Sequence, residues 1–353
     1  MSLQRSSLPP LIESPSAWLG PQISADSAWI HHLDDDELRE LEDAARYCLA
    51  KSDDICQIRR QDFVLPKLGV RLRRIHDALI HGVGFALLRA LPVNTWPKSV
   101  TAAVFFGIGQ HLGFARPQNA KGHVLGHVID MGLRADDPNV RIYQTHARQT
   151  FHTDSSDIVG LVCLQQARKG GDSALVSSNT IYNEMRRDYP ALAAALFDPI
   201  ATDRRGEVAA GQKPFFEIPV FTWHVSMMST IYQRQYIDSA QRFEDAMRLT
   251  PQHVEALDCF DALANDARLN FLMRLEAGDM QFVHNHTLLH DRTAFEDWAE
   301  PERKRHLLRL WLSSPDARPL PEVWGQRYGS VQPGLRGGVT IPETSWHAPL
   351  EPV

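Results

Sequence analysis

Residues 151–185 read FHTDSSDIVGLVCLQQARKGGDSALVSSNTIYNEM, and the order of textures in this stretch decides the fold. Ile158 to Gln165 is a short apolar run with the length of a strand. Gly170-Gly171-Asp172 interrupts it, and Ala174 to Val176 resumes as a second strand. Ile181, Met185, Tyr189, Leu192 and Leu196 then recur at helical spacing, which predicts a helix over Thr180 to Phe197. Asn179 is its expected cap, and Pro190 divides it in two.

Toward the N-terminus the texture is helical. Residues 1–25, rich in Ser and Pro, are expected to form an extended arm. Asp34-Asp35-Asp36 precedes Leu38, Leu41, Ala45, Cys48 and Leu49, a capped helix with acids at its positive end. Further helices are expected over Val70 to His81 and Pro97 to Leu112, with a strand at Phe85 to Leu88 between them. A loop carrying His123, His127 and Asp130 follows, and Arg141 to Thr145 reads as a strand. Toward the C-terminus, strands are expected at Phe215 to Ile218, Val220 to Trp223, Met280 to Val283 and His306 to Ser313. A helix over Pro251 to Asp266 is capped by Thr250 with Pro251 at its first position. The whole reads as one α+β domain, residues 26–353, with a β-rich core mainly over 140–313 and helical insertions at 180–197 and 251–266.

Bulk composition narrows the function. Of 353 residues, 43% are hydrophobic and 23% charged, the profile of an ordinary globule. The net charge of −6 argues against a protein that tracks nucleic-acid phosphates. Cys48, Cys56, Cys163 and Cys259 form no C-x-x-C pair, so reduced thiols in a cytoplasmic protein are expected rather than a cysteine zinc site. The first twenty residues lack the apolar region of a signal peptide, and no apolar run approaches the ~20 residues of a membrane span.

Chemistry enters with His152-Thr153-Asp154. In extended backbone, residues two apart point the same way, so both side chains can face one metal ion. A second group of histidines lies far downstream in His284-Asn285-His286-Thr287-Leu288-Leu289-His290. Two histidines and one carboxylate make a facial set that leaves positions open, and these ligands suit iron(II) better than copper(I). Alone, His-Thr-Asp is more often a turn than a ligand pair. Independent weight comes from Arg305-His306-Leu307-Leu308-Arg309-Leu310-Trp311-Leu312. A period of two puts Arg305, Leu307, Arg309 and Trp311 on one face and an almost wholly apolar set on the other. Buried guanidiniums need anionic partners: either structural Glu and Asp, or an acid ligand.

Taken together, these segments resemble the taurine dioxygenase (TauD/TfdA-like) branch of Fe(II)/2-oxoglutarate-dependent dioxygenases. The resemblance rests on residues 151–185 and on AGDMQFVHNHTLLHDRTAFEDWAEPERKRHLLRLWLS (277–313), which keep the order H-x-D, G-G-D-[ST], G-D…H and a late R-x-x-x-R. It implies a double-stranded β-helix (jelly-roll) core flanked by helices. It implies His152, Asp154 and His290 as iron ligands, Arg305 and Ser173 as the site for the far carboxylate of 2-oxoglutarate, and Arg309 as the anchor for an acidic substrate group. Arg292 is the alternative to Arg305. With O2 as cosubstrate, the implied reaction is oxidation of a small molecule, most simply hydroxylation of a C–H bond, with release of succinate and CO2. The retained Asp154 favours hydroxylation over halogenation. Relatives often self-associate, and the arm at 1–25 is long enough to reach a neighbouring subunit of a homo-oligomer.

One departure opens an alternative. The family usually keeps a polar, non-histidine residue at 284 or 286, whereas His284, His286 and His290 here resemble a three-histidine zinc set. A zinc hydrolase and a non-catalytic jelly-roll binding or sensor protein are therefore the competing readings. Surface or supporting histidines are the plainer account of 284 and 286. For the substrate wall, Phe151, Phe221, Trp223, His224, Met227 and Met228 are candidates, although strand aromatics are more often core.

Overall fold

The computed structural model describes residues 8–134 and 140–352. Two antiparallel sheets face each other. The larger runs Ile30–His32, Phe85–Arg89, Met280–His284, Ile158–Gln165, His306–Ser313, with Phe114–Arg116 and Leu125–Ile129 sharing the far edge of the last strand. Only its first pair is parallel. The smaller runs Asn270–Met273, Ser173–Ser177, Leu288–Arg292, Gln149–His152. This is the jelly roll that the motif order implies.

Alternation explains how one sheet serves two layers. Phe85, Leu87, Val283 and Leu307 point inward and meet Leu175, Phe271 and Leu288 of the smaller sheet. Ala86, Leu88, Phe282, Leu308, Leu310 and Leu312 point outward, against the helices Asp35–Lys51, Leu68–His81 and Lys98–Leu112. The larger sheet is thus covered on both faces. The smaller sheet turns Ala174, Val176 and Leu289 outward to Ile181, Tyr182 and Phe260 of the helices Ser178–Asp188 and Pro251–Ala264. Between those helices, Ile200–Asp203 pairs with Phe215–Ile218 and Phe221–His224 with Met227–Thr230. These hairpins sit beside the mouth of the jelly roll.

Local signals account for most boundaries. Asp34 accepts from the Glu37 N–H at 2.9 Å while Glu37 accepts from the Asp34 N–H at 3.1 Å, a reciprocal cap. Thr250 and His253 close the same kind of box before Pro251. Four expectations are corrected. The stretch read as a loop holds the strands Phe114–Arg116 and Leu125–Ile129, whose pairing comes wholly from His306–Ser313. Arg141 to Thr145 is a 3-10 turn over Ile142–Gln144, closed by Thr145 onto the Ile142 carbonyl. The cap at 180 is Ser177, which accepts from the Thr180 N–H at 3.0 Å; Asn179 instead donates to Ser16. The arm read as extended to residue 25 contains the helix Gly20–Ala25. Residues 1–7 of that arm lie outside the described residues. Its remainder lies on its own chain: the Pro9 carbonyl accepts from Tyr182 Oη and Arg186 Nε, both at 2.6 Å.

Candidate metal centre and adjoining cavities

His152 ends its strand directly opposite His290 in register, which brings the two rings to a centroid separation of 4.1 Å. Asp154 lies just beyond the strand. Its placement comes from Asn285, in the turn after Met280–His284, which accepts the Asp154 N–H at 2.9 Å and donates to the Ser156 carbonyl at 2.9 Å. One donor atom from each of His152, Asp154 and His290 lies within 4.8 Å of the others. His152 Nδ1 is 2.8 Å from the Thr150 carbonyl, which fixes the proton there and leaves the Nε2 lone pair facing the group. Gln149 Nε2 lies 2.8 Å from that Nε2.

Electrostatics prepare these groups for a cation. Burial, then the neighbouring His290, pushes His152 down to about 3, so it is neutral at physiological pH. Burial alone would raise Asp154, but the Arg309 guanidinium and the two imidazoles hold it well below the usual carboxylate range. Trp311 Nε1 donates to Asp154 Oδ2 at 2.8 Å, and Arg309 Nη1 is 3.4 Å from the same oxygen. Two imidazoles, that of His152 held neutral, and an ionised, oriented carboxylate fit a divalent metal that keeps open positions.

The strand His306–Ser313 carries the expected division of faces. Arg305, Leu307 and Arg309 line a cavity that also reaches Ser173, Arg292, His152 and His290. Within it, Arg305 Nη1 and Arg292 Nε and Nη1 are buried without a hydrogen-bond partner among the described residues. Arg305 Nη2 donates to the Gly171 carbonyl at 3.2 Å. Gly171 has φ +74°, and a Cβ there would sit 2.7 Å from Arg305 Nε, so the second glycine of G-G-D-S is required by the arginine above it. Ser173 Oγ donates to Gln281 Oε1 at 3.1 Å. Burial, then Arg305, brings Arg292 down to about 9. Two crowded guanidiniums with unused donors fit a carboxylate, the terminal group of 2-oxoglutarate.

On the other side of the triad, a second cavity is bounded by Asp154, Arg309, Trp311, Tyr232, Phe216 and Arg327. Arg309 is shared between the two cavities and donates to Gln118 Oε1 at 2.7 Å. Of the wall candidates, Phe151 and Phe221 are core and Trp223 packs against that core. His224, Met227 and Met228 lie outside the lining, which draws instead on Phe216, Ile231 and Tyr232 nearby in sequence.

The three-histidine alternative is not assembled. The strand ends at His284, the chain turns over 285–287, and His290 enters the opposite sheet. His152, Asp154 and His290 are the one close group of three metal-ligating side chains among the described residues. His284 and His286 are fully buried rather than surface groups. His286 Nε2 is 2.8 Å from Asp157 Oδ1, whose carboxylate also accepts from Arg336 Nε at 2.8 Å and the Ser314 N–H at 3.0 Å. This network fastens the C-terminal segment to the core. Asn285, Gln149, Trp311 as a carboxylate donor and the pairing of Arg292 with Arg305 were not derivable from spacing, because each depends on strands brought together from distant parts of the chain.

A jelly roll with two histidines and a carboxylate at its mouth defines a mononuclear non-heme metal oxygenase. The chain belongs to the taurine catabolism dioxygenase TauD, TfdA family, whose model matches residues 51–311. It is 31% identical over 323 residues to FR-33289 synthase of Streptomyces rubellomurinus (strain ATCC 31215), covering 88% of this chain and 94% of that protein. It is 30% identical over 188 residues to a uridine-5'-phosphate dioxygenase of Amycolatopsis sp, covering 50% of this chain and 65% of that one. In fold it is similar to the non-heme iron oxygenase OrfP solved with Fe and alpha-ketoglutaric acid, with TM-score 0.62 and 13% identity, over 80% of this chain and 93% of the other. The protein is an Fe(II)- and 2-oxoglutarate-dependent dioxygenase that hydroxylates a small molecule.

Proposed function

We propose that His152, Asp154 and His290 hold the iron(II), that Arg305, supported by Ser173 and Arg292, holds the far carboxylate of 2-oxoglutarate, and that Arg309 faces an anionic substrate. The carrying observation is the set of buried donors on Arg305 and Arg292, without a hydrogen-bond partner among the described residues, in the cavity that reaches His152 and His290. The metal supplies O2 activation coupled to oxidative decarboxylation of 2-oxoglutarate. The chain supplies the rest. Thr150 sets the His152 tautomer, and Trp311 and Arg309 orient the Asp154 carboxylate. Arg305 and Ser173 fix one end of the cosubstrate, so the reacting end is presented in one orientation.

An anionic substrate is supported by Arg309 and by the relative named uridine-5'-phosphate dioxygenase, whose name specifies a phosphate ester. The net charge of −6 supports a small molecule over nucleic acid, and four free cysteines support a reducing compartment such as the cytoplasm. No helix among the described residues is long and apolar enough to cross a membrane.

Steady-state succinate formation tests the assignment. Arg305→Ala is expected to raise KM for 2-oxoglutarate by about tenfold or more, with kcat changed much less. An unchanged KM would transfer the role to Arg292.

A further inference from the structure

The substrate-side cavity carries more positive charge than Arg309 accounts for. Arg141, Arg204 and Arg327 line the same wall. Arg141 is paired with Glu207. Asp203, also on this wall, is held by Arg242 at 3.0 Å and Ser239 at 2.5 Å. Arg204 and Arg327 make no ion pair with a carboxylate among the described residues.

These two guanidiniums share one ring. The Arg204 and Arg327 guanidinium carbons lie 5.5 and 5.9 Å from the Phe216 centroid. Arg204 is 8% exposed and is fixed by the carbonyls of Lys213 and Gln326. Arg327 Nε donates to Ser155 Oγ at 2.7 Å, one residue beyond Asp154. Burial, then repulsion from Arg327, brings Arg204 down to about 10; burial, then Arg141, does the same to Arg327. Both stay charged at neutral pH. Two like charges on one cavity wall, Arg204 buried and Arg327 half-buried, with only neutral hydrogen-bond partners among the described residues, are costly unless an anion joins them.

The chemistry of that anion follows from the donors. Each guanidinium is a planar fork suited to two oxygens of one group. Among the described residues these hydrogen bonds leave over Nη1 of Arg204 and both Nη atoms of Arg327, more N–H donors than a carboxylate's pair of oxygens can satisfy. A phosphate monoester offers three oxygens and close to two negative charges at neutral pH, and a phosphonate offers the same three oxygens and reaches its second charge at slightly higher pH. We propose that Arg204 and Arg327 form the recognition site for a dianionic phosphonate or phosphate-monoester head of the substrate, in the cavity that also reaches His152 and Asp154. This rests on the reading of the cavity as the substrate side of the triad. It makes head-group charge the main determinant of specificity.

The test is calorimetric titration, without O2, of protein loaded with iron(II) and saturating 2-oxoglutarate. Methylphosphonate, methyl phosphate, methanesulfonate and acetate are the probes. Both dianions are expected to bind about tenfold or more tighter than either monoanion. The tighter of the two identifies the linkage. Arg327→Gln is expected to weaken dianion binding by about tenfold or more while 2-oxoglutarate affinity stays within about twofold. Arg204→Gln should do the same, although Arg204 also holds two carbonyls, so Arg327 is the deciding position. If Arg327→Gln does not fold, Arg327→Lys, which keeps the charge but not the fork, carries the test. Dianions binding no tighter than acetate would overturn the proposal, as would a folded Arg327 variant that binds them like wild type. Failure of wild type to bind 2-oxoglutarate would instead count against the Arg305 assignment, and the methylphosphonate comparison would still decide the role of Arg327.

Discussion

Asp154 is oriented by residues that do not themselves bind metal. Its Oδ2 takes the Trp311 indole N–H at 2.8 Å, and its backbone is clamped by Asn285. Asp154→Ala is therefore expected to abolish 2-oxoglutarate turnover, read as loss of succinate; full turnover in that variant would remove the triad from the account. Trp311→Phe keeps the packing but drops the donor. It should weaken iron binding or activity by about tenfold, because partners of ligating carboxylates carry effects of that order. An iron(II) titration checks it, and an unchanged constant would reduce Trp311 to a packing residue. Gly171→Ala should mimic Arg305→Ala in KM for 2-oxoglutarate, since its Cβ meets Arg305 Nε at 2.7 Å. At this scale the H-x-D pair and the shared face of Arg305 and Arg309 follow from residue type and spacing, whereas the choice of His290 and Ser173 rests on the resemblance; the structure brings His290 to His152 and Asp154 and lines one cavity with Ser173, Arg305 and Arg309. Asn285 and Gln149 were not, since an amide at either position is chemically ordinary until the fold brings it to the ligands.

The strand His306–Ser313 shows how far periodicity reaches. Alternation separated Arg305, Leu307, Arg309 and Trp311 from Leu308, Leu310 and Leu312, and the structure sends the first set to the cavities and the second to the helical layer. Leu310 is fully buried there, so Leu310→Ala should cost about 2–5 kcal/mol in urea unfolding. A change of only a few tenths would mean the helices contribute little to holding this strand. Leu125–Ile129 escaped notice because Gly126 and His127 blur its alternation and its pairing is supplied entirely by a strand about 180 residues later. The 3-10 turn at Ile142–Gln144 failed in the opposite sense: its residues suit a strand, but among the described residues no strand pairs with it. Ser177 displaced Asn179 as cap because the preceding strand runs to Ser177 before the chain turns into the helix.

Across the whole molecule, burial keeps a set of histidines neutral. His286, His123 and His306 are each pushed down to about 4, and His284 lies well below its ordinary value of 6.5. The unfolded chain takes up protons at these sites as pH falls through 6.5, whereas the folded chain does not. Their contribution is therefore fully present above pH 6.5 and lost as pH falls toward 4. Asp154 and Asp157, held low in the folded state, add acid lability in the same direction below about pH 4. The melting temperature should drop steadily between pH 6.5 and 4; a flat profile would contradict the neutral, buried state of His284 and His286. Composition argues only weakly against nucleic acid as a partner class, and motif order pointed to the jelly roll. Neither could show that the histidine cluster at 284–290 divides between two sheets, one part fastening the C-terminal segment and one joining the triad.

The central claim is that iron(II) and 2-oxoglutarate assemble between the His152–Asp154–His290 group and Arg305. The most direct measurement is anaerobic addition of iron(II) and then 2-oxoglutarate, followed by visible absorption for the weak charge-transfer band of a keto acid chelated to iron(II). The account predicts the band in wild type, its loss in His152→Ala, and a higher 2-oxoglutarate concentration for half-formation in Arg305→Ala. Folded, iron-loaded protein that shows no band, or a band indifferent to both substitutions, would contradict it.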